Sequence, residues 1–142
     1  MYRLIFGCFI LLACDNSKEE SQYTPNSPEG IIVRIEETHT QHNLDSIMAN
    51  TDFETSARLT LMETKFPITD STLYYITEAL KLSEIKQINE KGYAMFEKVS
   101  HRFSGKKFIN DSIVSIIDES SSTPQEILVV RRNNKWLYIG PK

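Results

Sequence analysis

Residues 125–140 read Gln125-Glu126-Ile127-Leu128-Val129-Val130-Arg131-Arg132-Asn133-Asn134-Lys135-Trp136-Leu137-Tyr138-Ile139-Gly140. Two apolar runs flank a pair of asparagines. Asparagine tolerates the positive φ of a tight two-residue turn, so residues 125–132 and 135–140 are expected to form an antiparallel hairpin. Trp136 and Tyr138 lie on one face of the last strand, Leu137 and Ile139 on the other. With both faces apolar, this strand is expected to be central in its sheet or covered.

Working back from the hairpin, residues 119–124 carry three consecutive serines and a proline, and read as a loop. Residues 108–118, rich in Ile and Val, form the preceding strand. Residues 104–107, Ser-Gly-Lys-Lys, read as its turn. Residues 93–103 alternate as a long strand. Tyr93, Met95, Glu97, Val99, His101 and Phe103 share one face. Residues 90–92 end in glycine and read as a turn, and residues 85–90 as a further candidate strand.

N-terminal to Glu84 the apolar period is 3.6, not 2. A third helix is expected from a cap at Asp70 or Ser71 to about Leu82, with Leu73, Ile76, Ala79 and Leu80 inward. Phe66-Pro67 stops the helix before it, because proline disfavours helical geometry in the preceding residue. That second helix opens on Thr51-Asp52-Phe53-Glu54, read as a capping box, and aligns Phe53, Ala57 and Leu61. Residues 44–49 are a short turn with Leu44, Ile47 and Met48 apolar. The first helix is expected from a Ser27 cap and Pro28 to about His42, with Ile31, Ile32, Ile35 and Thr38 on one face.

Residues 15–27 have one aromatic side chain and no aliphatic one, the composition of a disordered tether. At about 5–6 Å × √n, its span is near 20 Å. Ahead of it stands MYRLIFGCFILLAC. Arg3 is a short positive region, and the apolar run that follows has signal-peptide length, far below the roughly 20 residues of a membrane span. Leu11-Leu12-Ala13-Cys14 resembles the lipobox of bacterial lipoproteins, with Leu12 a tolerated variant. The resemblance implies cleavage of residues 1–13, acylation of Cys14 and anchoring to a membrane of the bacterial envelope. More than one acyl chain gives a durable anchor. Asp15 resembles an inner-membrane retention signal, and Lys18-Glu19-Glu20 resembles a surface-export signal. The two point in opposite directions, and both also suit a plain solvated linker.

Residues 28–142 therefore read as one α+β domain. Three helices followed by four antiparallel strands suggest helices packed on one face of a curved four-stranded sheet. Ser27-Pro28-Glu29, Asn50-Thr51-Asp52-Phe53 and the terminal hairpin with Lys135-Trp136 resemble the nuclear-transport-factor-2-like cone, shared with cystatin-like domains. That fold hosts many functions and transfers no activity by itself. By analogy with it, a homodimer through the sheet is a possible assembly.

The whole chain has 142 residues and a net charge of −3, without the basic footprint of a nucleic-acid binder. Of its two cysteines, Cys8 leaves with the leader and Cys14 is acylated, so thiolate catalysis and cysteine metal ligation are excluded from the folded part. No nucleophile elbow, phosphate loop or dinucleotide fingerprint occurs, and no cofactor is expected.

Glu36, His39 and His42 fall along one side of the first helix. Ligands spaced i, i+3, i+6 converge poorly on a metal, so this cluster reads as a solvated helix end, its imidazoles suited to the helix dipole. Arg131, Arg132 and Lys135 read as a solvated hairpin end. Glu97 and His101 share a strand face with Met95, Val99 and Phe103. In a cone interior they would place an acid and a base in an apolar pocket. The same residues equally suit a face turned to solvent. The expectation is thus a non-catalytic envelope module that binds a small ligand or a partner. The alternatives are an inhibitor or immunity-type protein, and a pocket acid/base enzyme using Glu97 and His101.

Overall fold

The computed structural model describes residues 23–94, 103–120 and 122–142. Among them, helices α1 (Pro28–Thr40), α2 (Leu44–Asn50), α3 (Phe53–Glu63) and α4 (Asp70–Lys91) precede strands β1 (Phe103–Phe108), β2 (Ile113–Asp118), β3 (Gln125–Arg132) and β4 (Lys135–Pro141). The strands form one antiparallel sheet in the order β1-β2-β3-β4. The protein is an α+β domain. No helix among the described residues is long and apolar enough to cross a membrane. The expected strand over residues 93–103 falls largely at 95–102, and with Cys14, Glu97 and His101 lies outside the described residues.

The core follows from the pleat. Val114 opposes Val129 and Ile116 opposes Ile127, so these four side chains share one sheet face. Ile31 and Ile32 of α1 pack onto them, with Trp136 and Tyr138 at the margin. Ser27 caps α1 by accepting from the Gly30 N–H at 2.9 Å, and Pro28 occupies the first turn, as the sequence indicates. Gly30 is required by space. A Cβ there would stand 2.1 Å from the Thr24 carbonyl oxygen. Residues 23–27, assigned from composition to the tether, lie against the domain. The Tyr23 ring meets Phe103 edge-on at 4.9 Å, and Asn26 Nδ2 donates to the Asn134 carbonyl at 3.4 Å.

The hairpin forms as expected, with Asn133 and Asn134 at φ 48° and 62°. Strand β4 is at the edge of the described sheet, and its outer side is covered. Thr51 bridges to Tyr138, the Asp52 N–H donates to the Tyr138 carbonyl at 2.7 Å, and Ser56 Oγ donates to the Ile139 carbonyl at 2.9 Å. Two carbonyls of β4 are thereby satisfied by the α2–α3 junction.

Several boundaries differ from the sequence reading, each for a local reason. Residues 44–50 are helical, not a bare turn, because Asn43 Oδ1 accepts from the Ser46 N–H and caps them. Asp52, not Thr51, caps α3. Its Oδ1 accepts from the Thr55 N–H at 2.8 Å, while the Thr51 hydroxyl donates back to the Ile47 carbonyl. The row Phe53, Ala57 and Leu61 is buried as expected. Helix α4 is capped by Thr69, whose hydroxyl and that of Thr72 reciprocate, rather than by Asp70 or Ser71. It then continues through residues 85–90, where a strand was expected. Ile85 and Ile88 are three apart, which is helical spacing, and Lys86 pairs with Glu90 one turn on. Gly92, at φ 80°, ends it. Of the expected inward set on α4, Leu73, Ile76 and Leu80 are half-buried and Ala79 is exposed.

Residues 104–107 lie inside β1 instead of forming a turn. Gly105 is there for close packing, since a Cβ would sit 3.0 Å from Ile117 Cγ1. The turn is at Asn110, whose Oδ1 accepts from the N–H groups of Ser112 and Ile113 at 2.9 and 2.8 Å.

Asp52 joins α3 to the hairpin. Besides capping, its Oδ2 accepts from Arg132 Nε at 2.5 Å, and Arg132 also donates to Thr55 Oγ1 at 2.8 Å. The Arg132 side chain is 39% exposed, so the ion pair is screened and the cap carries most of the energy. Asp52→Ala is expected to lower unfolding free energy by about 2 kcal/mol in urea titration. Asp52→Asn, which keeps the capping acceptor, should lower it by less than half as much.

Candidate functional site

The C-terminal half of α1 carries Ile35 and His39 one turn apart, on the same side. Residues Leu80, Ser83, Glu84 and Gln87 of α4 are spaced i, i+3, i+4, i+7 and form one face. These two faces, the α2–α3 junction and the end of β4 enclose a cavity of about 420 Å³. That volume lies within the range of roughly 300–1,000 Å³ common to small-molecule sites. Ile35, Ile47, Phe53, Leu80 and Ile139 supply an apolar wall, and His39, Glu84 and Tyr138 are its titratable groups. A second cavity of about 360 Å³, between α3 and α4 at Phe66, Tyr75 and Ile76, has an almost wholly apolar lining. It offers little to orient a ligand.

The polar groups of the larger cavity have distinct states. His39 is only 8% exposed, and burial holds its imidazole below the ordinary value, although the Glu84 charge opposes this. The ring is therefore neutral at pH 7. Its Nδ1 accepts from the Ala94 N–H at 3.4 Å, which assigns the ring proton to Nε2. Burial, then the charges of Glu84 and Glu36, push the Tyr138 phenol up to about 12, so it keeps its proton. Among the described residues, neither the Tyr138 hydroxyl nor the Glu84 carboxylate has a hydrogen-bond partner, and Glu84 has no ion pair. Beside the cavity, burial and then the charges of Asp118 and Glu37 raise Glu36 to about 7. The Asp118 carboxylate is buried and accepts from the Ser120 N–H at 2.8 Å.

The candidates read from sequence separate. Glu36, His39 and His42 do not form a solvated helix end: His39 is buried and Glu36 half-buried. His42 lies beyond α1 at φ 54°, with its ring stacked on Tyr93 at 4.7 Å. Among the described residues no three His, Cys, Asp or Glu side chains converge as a metal site. Arg132 turns inward to Asp52 and Glu54, while Arg131 donates to Asn134 Oδ1 at the turn. Glu97, His101 and Cys14 lie outside the described residues. The α4 face at Ser83, Glu84 and Gln87 escaped the sequence reading because a strand was assigned from residue 85. The i, i+3, i+4, i+7 spacing from Leu80 is the signal that reveals it.

Compared with known proteins, the chain matches no family model, no curated protein and no solved structure.

The raised Glu36 carboxyl makes stability depend on pH. Its folded value, about 7, exceeds its ordinary value of 4.5, so the native state holds this proton more tightly than the unfolded chain. The contribution is complete below about pH 4.5 and is lost as pH rises through about 7. Glu36→Gln is expected to flatten the stability profile across that window. At pH 8 it should be more stable than the parent by on the order of 1 kcal/mol, since partial exposure screens the effect. Urea midpoints measured from pH 4.5 to 8 check this.

Proposed function

We propose that the chain is a lipid-anchored protein of the bacterial cell envelope. Its α+β domain, of nuclear-transport-factor-2-like type, binds a small molecule in the cavity between α1, α4 and β4. The observation that carries the reading is that cavity: one apolar wall with a few unsatisfied polar groups, the combination that holds and orients a small ligand. The anchor rests on Arg3, the apolar run behind it, Leu11-Leu12-Ala13-Cys14 and the abrupt polar flank. Binding is favoured over turnover. Among the described residues no hydrogen bond links His39, Glu84 and Tyr138 into a proton-transfer chain, and no nucleophile stands beside a base.

Two measurements test the two halves of this reading. With Cys14→Ser as control, the parent is expected to incorporate labelled palmitate and fractionate with membranes. A parent that takes up no label and washes off freely overturns the anchor. For the cavity, a chemically mixed panel of small molecules is screened against the purified full chain by thermal shift. At least one compound should raise the melting temperature, and Ser83→Trp, which fills the cavity from the exposed face of α4, should abolish that rise. A panel without a hit, or hits indifferent to Ser83→Trp, overturns the binding role.

A further inference from the structure

We infer that the cavity is built for a small organic cation, an apolar body bearing a protonated amine, with Glu84 as its counter-ion and the Tyr138 hydroxyl as a second acceptor. This rests on the binding role proposed above and assigns its ligand class. The first support is charge. Glu84 lines the cavity half-buried, yet among the described residues no lysine or arginine lines it with Glu84. Two of the lysines on α4 are engaged elsewhere: Lys81 with Glu78 at 2.8 Å and Lys86 with Glu90 at 3.7 Å. Arg132, on the adjoining hairpin, is held by Asp52 and Glu54. A carboxylate taken partly out of water without a cation is unfavourable, and a bound ammonium supplies the missing partner.

The second support is the state of the other groups. His39 is neutral, so it does not compete for Glu84 or repel an ammonium. Among the described residues no hydrogen bond engages the Tyr138 hydroxyl, whose oxygen can accept from an ammonium N–H. An anionic ligand would meet the charge of Glu84, and among the described residues that line the cavity no lysine or arginine compensates it. The third support is the wall: Ile35, Ile47, Phe53 and Leu80 favour an alkyl or aryl body over a fully hydrated ion.

The test uses three probes of one shape on the purified full chain at pH 8: phenethylamine, phenethyl alcohol and phenylacetate. Affinities are read by titration calorimetry or by chemical-shift changes. Phenethylamine is expected to bind at least tenfold more tightly than either of the others, and added salt should weaken it. Glu84→Gln should bring the amine down to the level of the alcohol, while Glu84→Asp should restore part of the preference. Unchanged melting temperatures in both variants exclude a folding defect, and if Glu84→Gln melts early, the three-probe ranking in the parent decides alone. Equal or tighter binding of the alcohol or the phenylacetate, or an amine affinity unaffected by Glu84→Gln, overturns the cation assignment. So does failure of all three probes when the mixed panel yields a ligand sensitive to Ser83→Trp. In those cases the binding role stands. If neither the panel nor the probes bind, both readings fall together.

Discussion

The Asp52 carboxylate meets donors from two parts of the chain. One oxygen accepts from the Thr55 N–H and starts α3; the other takes the Thr55 hydroxyl and the Arg132 guanidinium from the end of β3. Its own backbone N–H closes the outer side of β4 at Tyr138. One residue thus fixes where α3 begins, where the hairpin stands and how the sheet edge is sealed. Helix α4 packs along α3, so its position is set at second hand by the same residue. The cavity lies among these parts, and its shape depends on their mutual placement.

Inside that shape the electrostatics are one-sided. The chain carries only a mild net charge of −3, but the charges of Glu84 and Glu36 act on Tyr138 while Lys81, Lys86 and Arg132 are held in ion pairs of their own. Burial first, and then the charge of Asp118 on β2, is why Glu36 on α1 holds its proton so far toward neutral pH. Tyr138 performs two tasks from one position. Its backbone carbonyl serves the edge closure, and its ring packs at the margin of the core and lines the cavity.

Much of this was readable from local chemistry. The Asn-Asn turn, the Ser27 cap with Pro28, and the Phe53–Ala57–Leu61 row are each decided by a few residues with strong conformational preferences, and each stands where the pattern puts it. The readings that moved involve competition between neighbours. Thr51 and Asp52 are both capping residues, and the hydroxyl of the first is taken by the Ile47 carbonyl of the preceding helix. Ser104 to Lys107 have turn composition, but Asn110, three residues beyond Lys107, offers a stronger turn. Ile85 and Ile88 suit either period in so short a window. The site was less legible than the fold. Periodicity gives the side of a helix on which His39 lies, but not that α4 runs long enough to cover it.

Gly30 sets how the chain ahead of α1 meets the domain. Without a side chain there, the Thr24 carbonyl seats against the first turn of α1, and Tyr23 rests on Phe103 nearby. Traction on the chain ahead of Tyr23 would therefore enter the domain at the start of α1 and the beginning of β1. His39 stands nine residues farther along the helix than Gly30, about 13 Å at 1.5 Å per residue. Load applied ahead of Tyr23 thus reaches α1 at the end away from His39 and the cavity it lines.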